Sequence, residues 1–247
     1  MRLRLASMIA AMCLATPVVA GDGYGTKPAN WTGCYVGVQA GYGATHHDTS
    51  LNVVAPGVLG GINGSALDLP LSSQGGNVGL HAGCDMQVQQ LVFGAFSDYN
   101  WLSQTMEVKS PLLGTIPGGA ALNPLAKIDL DTMWTVGGRA GLLVSPSTLV
   151  YGLVGWSRMD TSDLTVLGTT GGSFTVPTLE GWTFGGGVSV EIAQNIRLGA
   201  EYRYTRFDRV DIPLFAAGGN SIALGVQPDM HTAMARLSYR FAIPGMN

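Results

Sequence analysis

The sequence predicts an all-β chain, an eight-stranded antiparallel transmembrane β-barrel with short periplasmic turns and long outer loops. Three observations carry this. The last strand-like run, 233–241, alternates in twos: Ala233, Ala235, Leu237, Tyr239 and Phe241 share one face, while Met234, Arg236, Ser238 and Arg240 share the other. A period of two marks a strand with unlike surroundings on its two sides, and a closing barrel strand places aromatics at the membrane interface. Second, the chain is 46% hydrophobic and only 12% charged, with 36 glycines among 247 residues, about twice the usual glycine share of roughly 7%. Outside the N-terminus, however, no uncharged apolar run approaches the roughly 18 residues of a membrane helix. Third, the connections between alternating segments are themselves alternately short and long.

Residues 1–20 read as a signal peptide, with Arg2 and Arg4 as the positive start, Leu5 to Ala15 as the apolar middle, and Val18-Val19-Ala20 as a small-residue cleavage pattern. The apolar run is shorter than a membrane anchor needs. Met12 before Cys13 fits a lipoprotein signal poorly, so Cys13 is expected to leave with the leader. Loss of Arg2 and Arg4 makes the formal charge of −3 more negative by two. Residues 21–30 form a short Gly- and Pro-containing periplasmic lead-in, 31–241 the barrel, and 242–247 a C-terminal extension. The expected address is the outer membrane of a Gram-negative cell. That compartment is oxidising, so Cys34 and Cys84 are free to pair.

The strands follow in order. The first, 31–43, sets Val36, Val38, Ala40 and Tyr42 against Gly37, Gln39, Gly41 and Gly43; inner-face glycines leave room for side chains that cross a narrow barrel. The second, 77–88, alternates most cleanly, with Val78, Leu80, Ala82, Cys84, Met86 and Val88 toward lipid and Asn77, Gly79, His81, Gly83, Asp85 and Gln87 inward. After a turn at Gln89-Gln90, the third points Leu91, Phe93, Ala95, Ser97, Tyr99 and Trp101 outward, and Gly94, Phe96, Asp98 and Asn100 inward. The fourth, 131–144, alternates Trp134, Val136, Gly138, Ala140, Leu142 and Val144 with Thr135, Gly137, Arg139 and Gly141. A turn at Ser145-Pro146-Ser147 leads to the fifth, 148–158, whose phase is ambiguous because both faces are apolar from Leu149 to Val154. The sixth, 181–192, and the seventh, 196–207, meet at Gln194-Asn195, with Glu191, Arg197, Glu201 and Arg203 inward. The eighth is the run described first.

Three connections are short, and four are long: 44–76, 102–130, 159–180 and 208–230. Short periplasmic turns with long outer loops are the asymmetry of an outer-membrane barrel. A lipocalin-like soluble barrel is the rival, but its apolar face would point inward and its loops would be shorter. Aromatic girdles are expected at the two interfaces: Trp101, Trp134, Trp156 and Trp182 toward the long loops, and Trp31, Tyr35, Tyr239 and Phe241 at the other end.

Several stretches carry a family pattern: Trp31-Thr32-Gly33-Cys34-Tyr35-Val36-Gly37, Ala40-Gly41-Tyr42-Gly43, Gly138-Arg139-Ala140-Gly141-Leu142, Gly199-Ala200-Glu201-Tyr202-Arg203-Tyr204 and Arg236-Leu237-Ser238-Tyr239-Arg240-Phe241. They resemble the alphaproteobacterial outer-membrane β-barrel, or outer membrane immunogenic, family of porin-like surface antigens. The resemblance covers most of the chain beyond the leader and implies an eight-stranded barrel related to the membrane domain of outer-membrane protein A. Two departures stand out: Cys34 replaces the family's usual aromatic, and the chain continues past Phe241. The resemblance also raises a haemin-binding alternative, with His46, His47 or a loop tyrosine as axial ligand.

The chemistry available is mostly interior. Asp85, Asp98, Glu191 and Glu201 face inward with Arg139, Arg203, Arg236 and Arg240. Unpaired charges in a dry, narrow lumen are costly, so these residues are expected to form a packed ionic plug; the alternative is a narrow wet conduit for ions or small solutes. Cys34 and Cys84 share the outward phase on adjacent strands, consistent either with a cross-strand disulfide or with two free thiols. No Ser-His-acid arrangement is defensible around His81 or His231, so no enzyme is expected, and no cofactor or metal site is expected. The loop stretches 51–76, 112–125 and 214–227 are apolar and nearly uncharged, suited to packing on each other or on a partner. The expected role is that of a structural envelope protein and surface antigen. Its expected partners are outer-membrane lipid and lipopolysaccharide, the outer-membrane assembly machinery, and an extracellular protein bound through the loops. No basic patch interleaved with aromatics supports nucleic acid.

Overall fold

A computed structural model describes residues 30–54, 71–108, 126–161, 164–166, 173–174, 178–217 and 220–241. The expected leader 1–20, most of the expected lead-in, the expected extension 242–247 and the stretches 55–70 and 109–125 lie outside the described residues.

The described chain is strand throughout: β1 Gly33–Val54, β2 Leu71–Val88, β3 Leu91–Val108, β4 Ala126–Ser145, β5 Thr148–Thr161, β6 Leu164–Val166, β7 Ser173–Phe174, β8 Leu179–Ala193, β9 Ile196–Phe207, β10 Val210–Ala217 and β11 Asn220–Phe241. Eight of these form the wall in the order β3-β2-β1-β11-β9-β8-β5-β4, and pairing of β3 with β4 closes the ring. Every adjacent pair in the wall is antiparallel. Closure leaves no unpaired wall edge, which a lipid solvent requires because it supplies no hydrogen bonds to backbone. β6, β7 and β10 are short strands stacked on the loop end.

The strands run further toward the loop end than the sequence pattern suggests. The first expected loop begins at Ala44, yet β1 continues to Val54 and pairs with β11 without interruption from Cys34↔Phe241 to Val54↔Ser221. The physical reason lies in the sequence: after Gly43 the next glycine or proline is Pro56, so nothing stops the ladder while β11 offers backbone partners, as β2 also does up to His47. The last expected loop, 208–230, likewise contains β10 paired with the first half of β11. His46 and His47 are therefore strand residues of β1 rather than loop residues.

The turns are tight. Gln89 and Asn195 take positive φ values of 57° and 66° at the β2–β3 and β8–β9 turns, a conformation common for Asn in short turns. Gly33 has φ 138°, a backbone that favours glycine, and it bends the chain at the first residue of β1.

The wall is inside-out relative to a soluble barrel. Val38, Leu80, Phe93, Val136, Val154, Phe184, Leu198, Tyr202 and Leu237 all lie exposed on the outer surface, and the buried residues fill the inside. The ambiguous strand takes a definite phase: Leu149, Tyr151, Leu153, Ser157 and Met159 of β5 point inward, and Val150 and Val154 point outward.

Candidate functional site

The lumen is filled in layers, with the turn end at the bottom and the loop end at the top. At the bottom, Trp31 enters the mouth. Its backbone N–H donates to Gln87 Oε1 at 2.9 Å and its indole N–H donates to the Pro146 carbonyl at 3.3 Å. The Arg197 guanidinium lies 4.0 Å from its ring centroid. Trp31 packs with Val92, Phe96, Leu149, Tyr151 and Leu153.

The ionic layers stand above it. Asp85 of β2 accepts from Arg139 of β4 at 3.0 and 2.6 Å, and from Arg197 of β9 at 3.3 Å. Arg139 is flanked by the rings of Tyr35 at 4.6 Å and Tyr151 at 5.1 Å. Glu201 of β9 accepts from Arg203 at 2.6 Å, Arg236 at 2.5 Å and the Tyr151 hydroxyl at 2.6 Å. Arg203 also donates to Asp98 of β3 at 3.1 and 2.7 Å. Asn100 donates to Asp98, and Gln39 donates to Asn100, at 2.9 and 2.7 Å. Buried charge of this kind is tolerated only with such dense pairing.

A hydroxyl chain crosses four adjacent strands next: Thr135, Ser157, Thr183 and Thr205 follow one another at 2.9, 2.5 and 2.8 Å. At the loop end Leu130, Met133, Met159, Leu179, Phe207 and Met230 form a buried apolar cluster.

Of the expected ionic set, Asp85, Asp98, Arg139, Glu201, Arg203 and Arg236 lie together in this network. Glu191 stands at the edge of it, 3.8 Å from Arg197 Nε. Arg240 departs from the ionic expectation: it donates to the Thr32 carbonyl at 3.1 Å and the Asn195 side-chain carbonyl at 2.8 Å, because its position on β11 puts it level with the turns rather than the acids. Arg197 and Tyr151 were missing from the expected set. Arg197 was legible in the inward phase of its strand; Tyr151 was hidden by the apolar faces around it.

The aromatic expectation needs a correction. Trp101, Trp134, Trp182, Tyr239 and Phe241 lie exposed on the lipid face, and Trp156 stacks edge-on against Trp134 at 6.0 Å. Trp31 and Tyr35, however, are 0% and 2% exposed inside the lumen. Tyr35 shares the inward phase of Gln39, and the bend at Gly33 turns Trp31 into the mouth, where both rings face arginines. Neither belongs to a girdle.

Cys34 and Cys84 occupy directly opposite positions on β1 and β2 and are disulfide-bonded, with Cα atoms 3.9 Å apart. His81 Nε2 lies 2.9 Å from Ser238 Oγ, but no acid is bound to its Nδ1 within the described residues. Among the described residues no group of three or more His, Cys, Asp or Glu side chains is placed to hold a metal ion.

The sequence matches a family model described as outer membrane protein beta-barrel domain over residues 6–241. It is 27% identical over 250 residues to the 31 kDa outer-membrane immunogenic proteins of Brucella melitensis and Brucella suis, covering 96% of this chain and 97% of each relative. In fold it is similar to the outer membrane protein OprG from Pseudomonas aeruginosa, with a TM-score of 0.56 and 14% identity over 88% of this chain and 100% of that one. The match lies in the barrel, and nothing in it assigns a task to the lumen.

Proposed function

The chain belongs to the outer membrane protein beta-barrel domain family, and from that premise we propose a non-enzymatic role as a structural envelope protein and surface antigen that makes protein contacts through its outer loops. One observation carries the reading: ion pairs cross the lumen, with Arg203 of β9 on Asp98 of β3 and Arg197 of β9 on Asp85 of β2, between an apolar cluster above and Trp31 below. An eight-stranded barrel is only wide enough to be filled by side chains, and these side chains hold one another in place. A filled lumen leaves the rims as the surfaces available for work. The naming of the Brucella relatives as immunogenic supports exposure of such a surface.

The test is single-channel recording of the folded barrel in planar bilayers, beside an Arg139→Ala/Arg203→Ala variant. A silent wild-type barrel is expected. Reproducible openings whose size or ion preference changes in the variant would replace this reading with a narrow porin-like channel. With a silent barrel, deletion of 55–70 or 109–125 should abolish binding of extracellular protein while heat-modifiable migration on gels persists.

A further inference from the structure

On the lumen side, β1 and β2 each alternate a large residue with a glycine, and the two alternations are out of step. The register sets Tyr35 opposite Gly83, His81 opposite Gly37, Gln39 opposite Gly79 and Asn77 opposite Gly41. Three of the large groups lie over the glycine they face. A Cβ on Gly37 would meet the His81 ring at 2.6 Å, one on Gly41 the Asn77 Oδ1 at 2.7 Å, and one on Gly83 the Tyr35 hydroxyl. A slip of two residues, about 7 Å, destroys this fit. In one direction it sets Tyr35 against His81 and Gln39 against Asn77. In the other it sets Tyr35 against Asp85 and Gln39 against His81. Either way Gly37 would face another glycine.

Little else rejects that slip while the two strands are still an isolated pair. Slippage by one residue would turn the polar set into lipid, but slippage by two keeps every side chain on its own face. Outward Val36, Val38 and Ala40 would still meet small or apolar residues of β2. A two-residue turn at Gln89-Gln90 fixes the register of β2 on β3, whereas β1 and β2 are joined by the long stretch 55–70. Glycine-rich strands specify register weakly. An error here is carried round the ring, because the stagger summed over all the strands must match for β1 to close on β11.

Cys34 and Cys84 stand opposite each other in the native register and in neither slipped one, where Cys34 would face Ala82 or Met86. We infer that their disulfide is a register lock, set on the β1–β2 pair by a disulfide oxidant of the periplasm before the barrel closes in the membrane. Exchange runs through a thiolate, a charge that lipid disfavours. In the closed barrel Cys34 is 7% exposed and sits level with Phe241 on the outer face. The thiolate of one cysteine attacks the oxidant's disulfide, and the other cysteine displaces the oxidant from the mixed disulfide. One S–S bond forms in the chain and one is lost in the oxidant, which leaves as two thiols carrying both electrons and both protons.

Refolding from urea into lipid vesicles tests the lock, read as heat-modifiable migration on gels. The reduced wild-type chain should lose half or more of the folded yield of the oxidised chain. A Cys34→Ala/Val36→Cys chain, oxidised onto Cys84, holds a slipped register. It should give no folded barrel, yet fold like the reduced wild type once reductant is added. Val36→Cys/Ala82→Cys in the Cys34→Ala/Cys84→Ala background moves the bond one level along the native register and should refold like the oxidised wild type. Equal yields from oxidised and reduced wild type, or a slipped bond that folds as well as the native one, would overturn the lock. Pulse-chase labelling in a Gram-negative host, with alkylation of free thiols, tests the timing. Oxidised chains should appear before heat-modifiable ones, and reduced heat-modifiable barrels that oxidise later would overturn it.

Discussion

Arg203 and Asp98 stand on diametrically opposite strands of the ring, β9 and β3, and are joined by two hydrogen bonds of 3.1 and 2.7 Å. Arg203 is 0% and Asp98 2% exposed. The pair therefore acts as a strut across the full width of the barrel. Removing one end strands a buried charge, a loss of about 3–5 kcal/mol. Arg203→Met should show it as a lowered urea midpoint in lipid vesicles. Asp98→Asn added to that variant removes the orphaned charge and keeps an acceptor for Asn100, so it should recover at least half of the loss. Strictly additive losses in the double-mutant cycle would show that the two ends are not coupled.

A second cross-link lies on the outer surface. The Cys34–Cys84 disulfide closes a separation of 50 residues between β1 and β2, and a covalent link of that span stabilises by about 2–4 kcal/mol through the unfolded chain. Reductant should lower the unfolding midpoint of the wild-type barrel. Cys34→Ala/Cys84→Ala should start near the reduced value and ignore reductant altogether. Cys84 is exposed, so its truncation alone loses little packing. An unchanged midpoint on reduction would remove the disulfide from the account of stability.

Much of this fold was legible because lipid and lumen differ chemically, and a period of two records the difference. Asp85, Asp98, Glu201 and Arg236 were legible for that reason: a charge in the phase opposite to a strand's apolar residues has nowhere to go but inward. The record fails where the lumen itself is apolar. Leu149, Tyr151 and Leu153 line the inside beside Trp31 and Phe96, so β5 carries no contrast between its faces and Tyr151 stayed hidden as a partner of Glu201. Alternation also says nothing about where a ladder ends. The continuation of β1 to Val54 depends on partners from β11, with β2 joining as far as His47, not on its own pattern.

Glycines on the inner face are held there by neighbours, which separates them from glycines on the outer face. A Cβ at Gly37 would lie 2.6 Å from the His81 ring, whereas at Gly138 the nearest atom would be the Gly94 carbonyl oxygen at 3.7 Å. Gly37→Val should cost about 1–3 kcal/mol through overpacking. Gly138→Val should stay within about 0.5 kcal/mol of wild type. Paired unfolding curves in the same vesicles decide it, and equal costs at both positions would mean that the lumen relaxes freely around its contents.

The outer face gives a depth-dependent prediction. Val38 sits midway along the membrane-facing part of β1, opposite Leu80 and Leu237, and is 53% exposed. Val144 is 62% exposed but lies beside the β4–β5 turn. An arginine in mid-membrane costs about 2–4 kcal/mol and one near the interface about 0–1. Val38→Arg should therefore lower the stability of the lipid-inserted barrel by the larger amount, and Val144→Arg should barely change it, because its guanidinium reaches the headgroups from the turn. The same pair in detergent should differ less, since a micelle deforms around a buried charge. If Val144→Arg proved the costlier change in bilayers, the membrane would have to sit lower on the barrel than its aromatics at Trp101, Trp134 and Trp182 on one side and Tyr239 and Phe241 on the other place it.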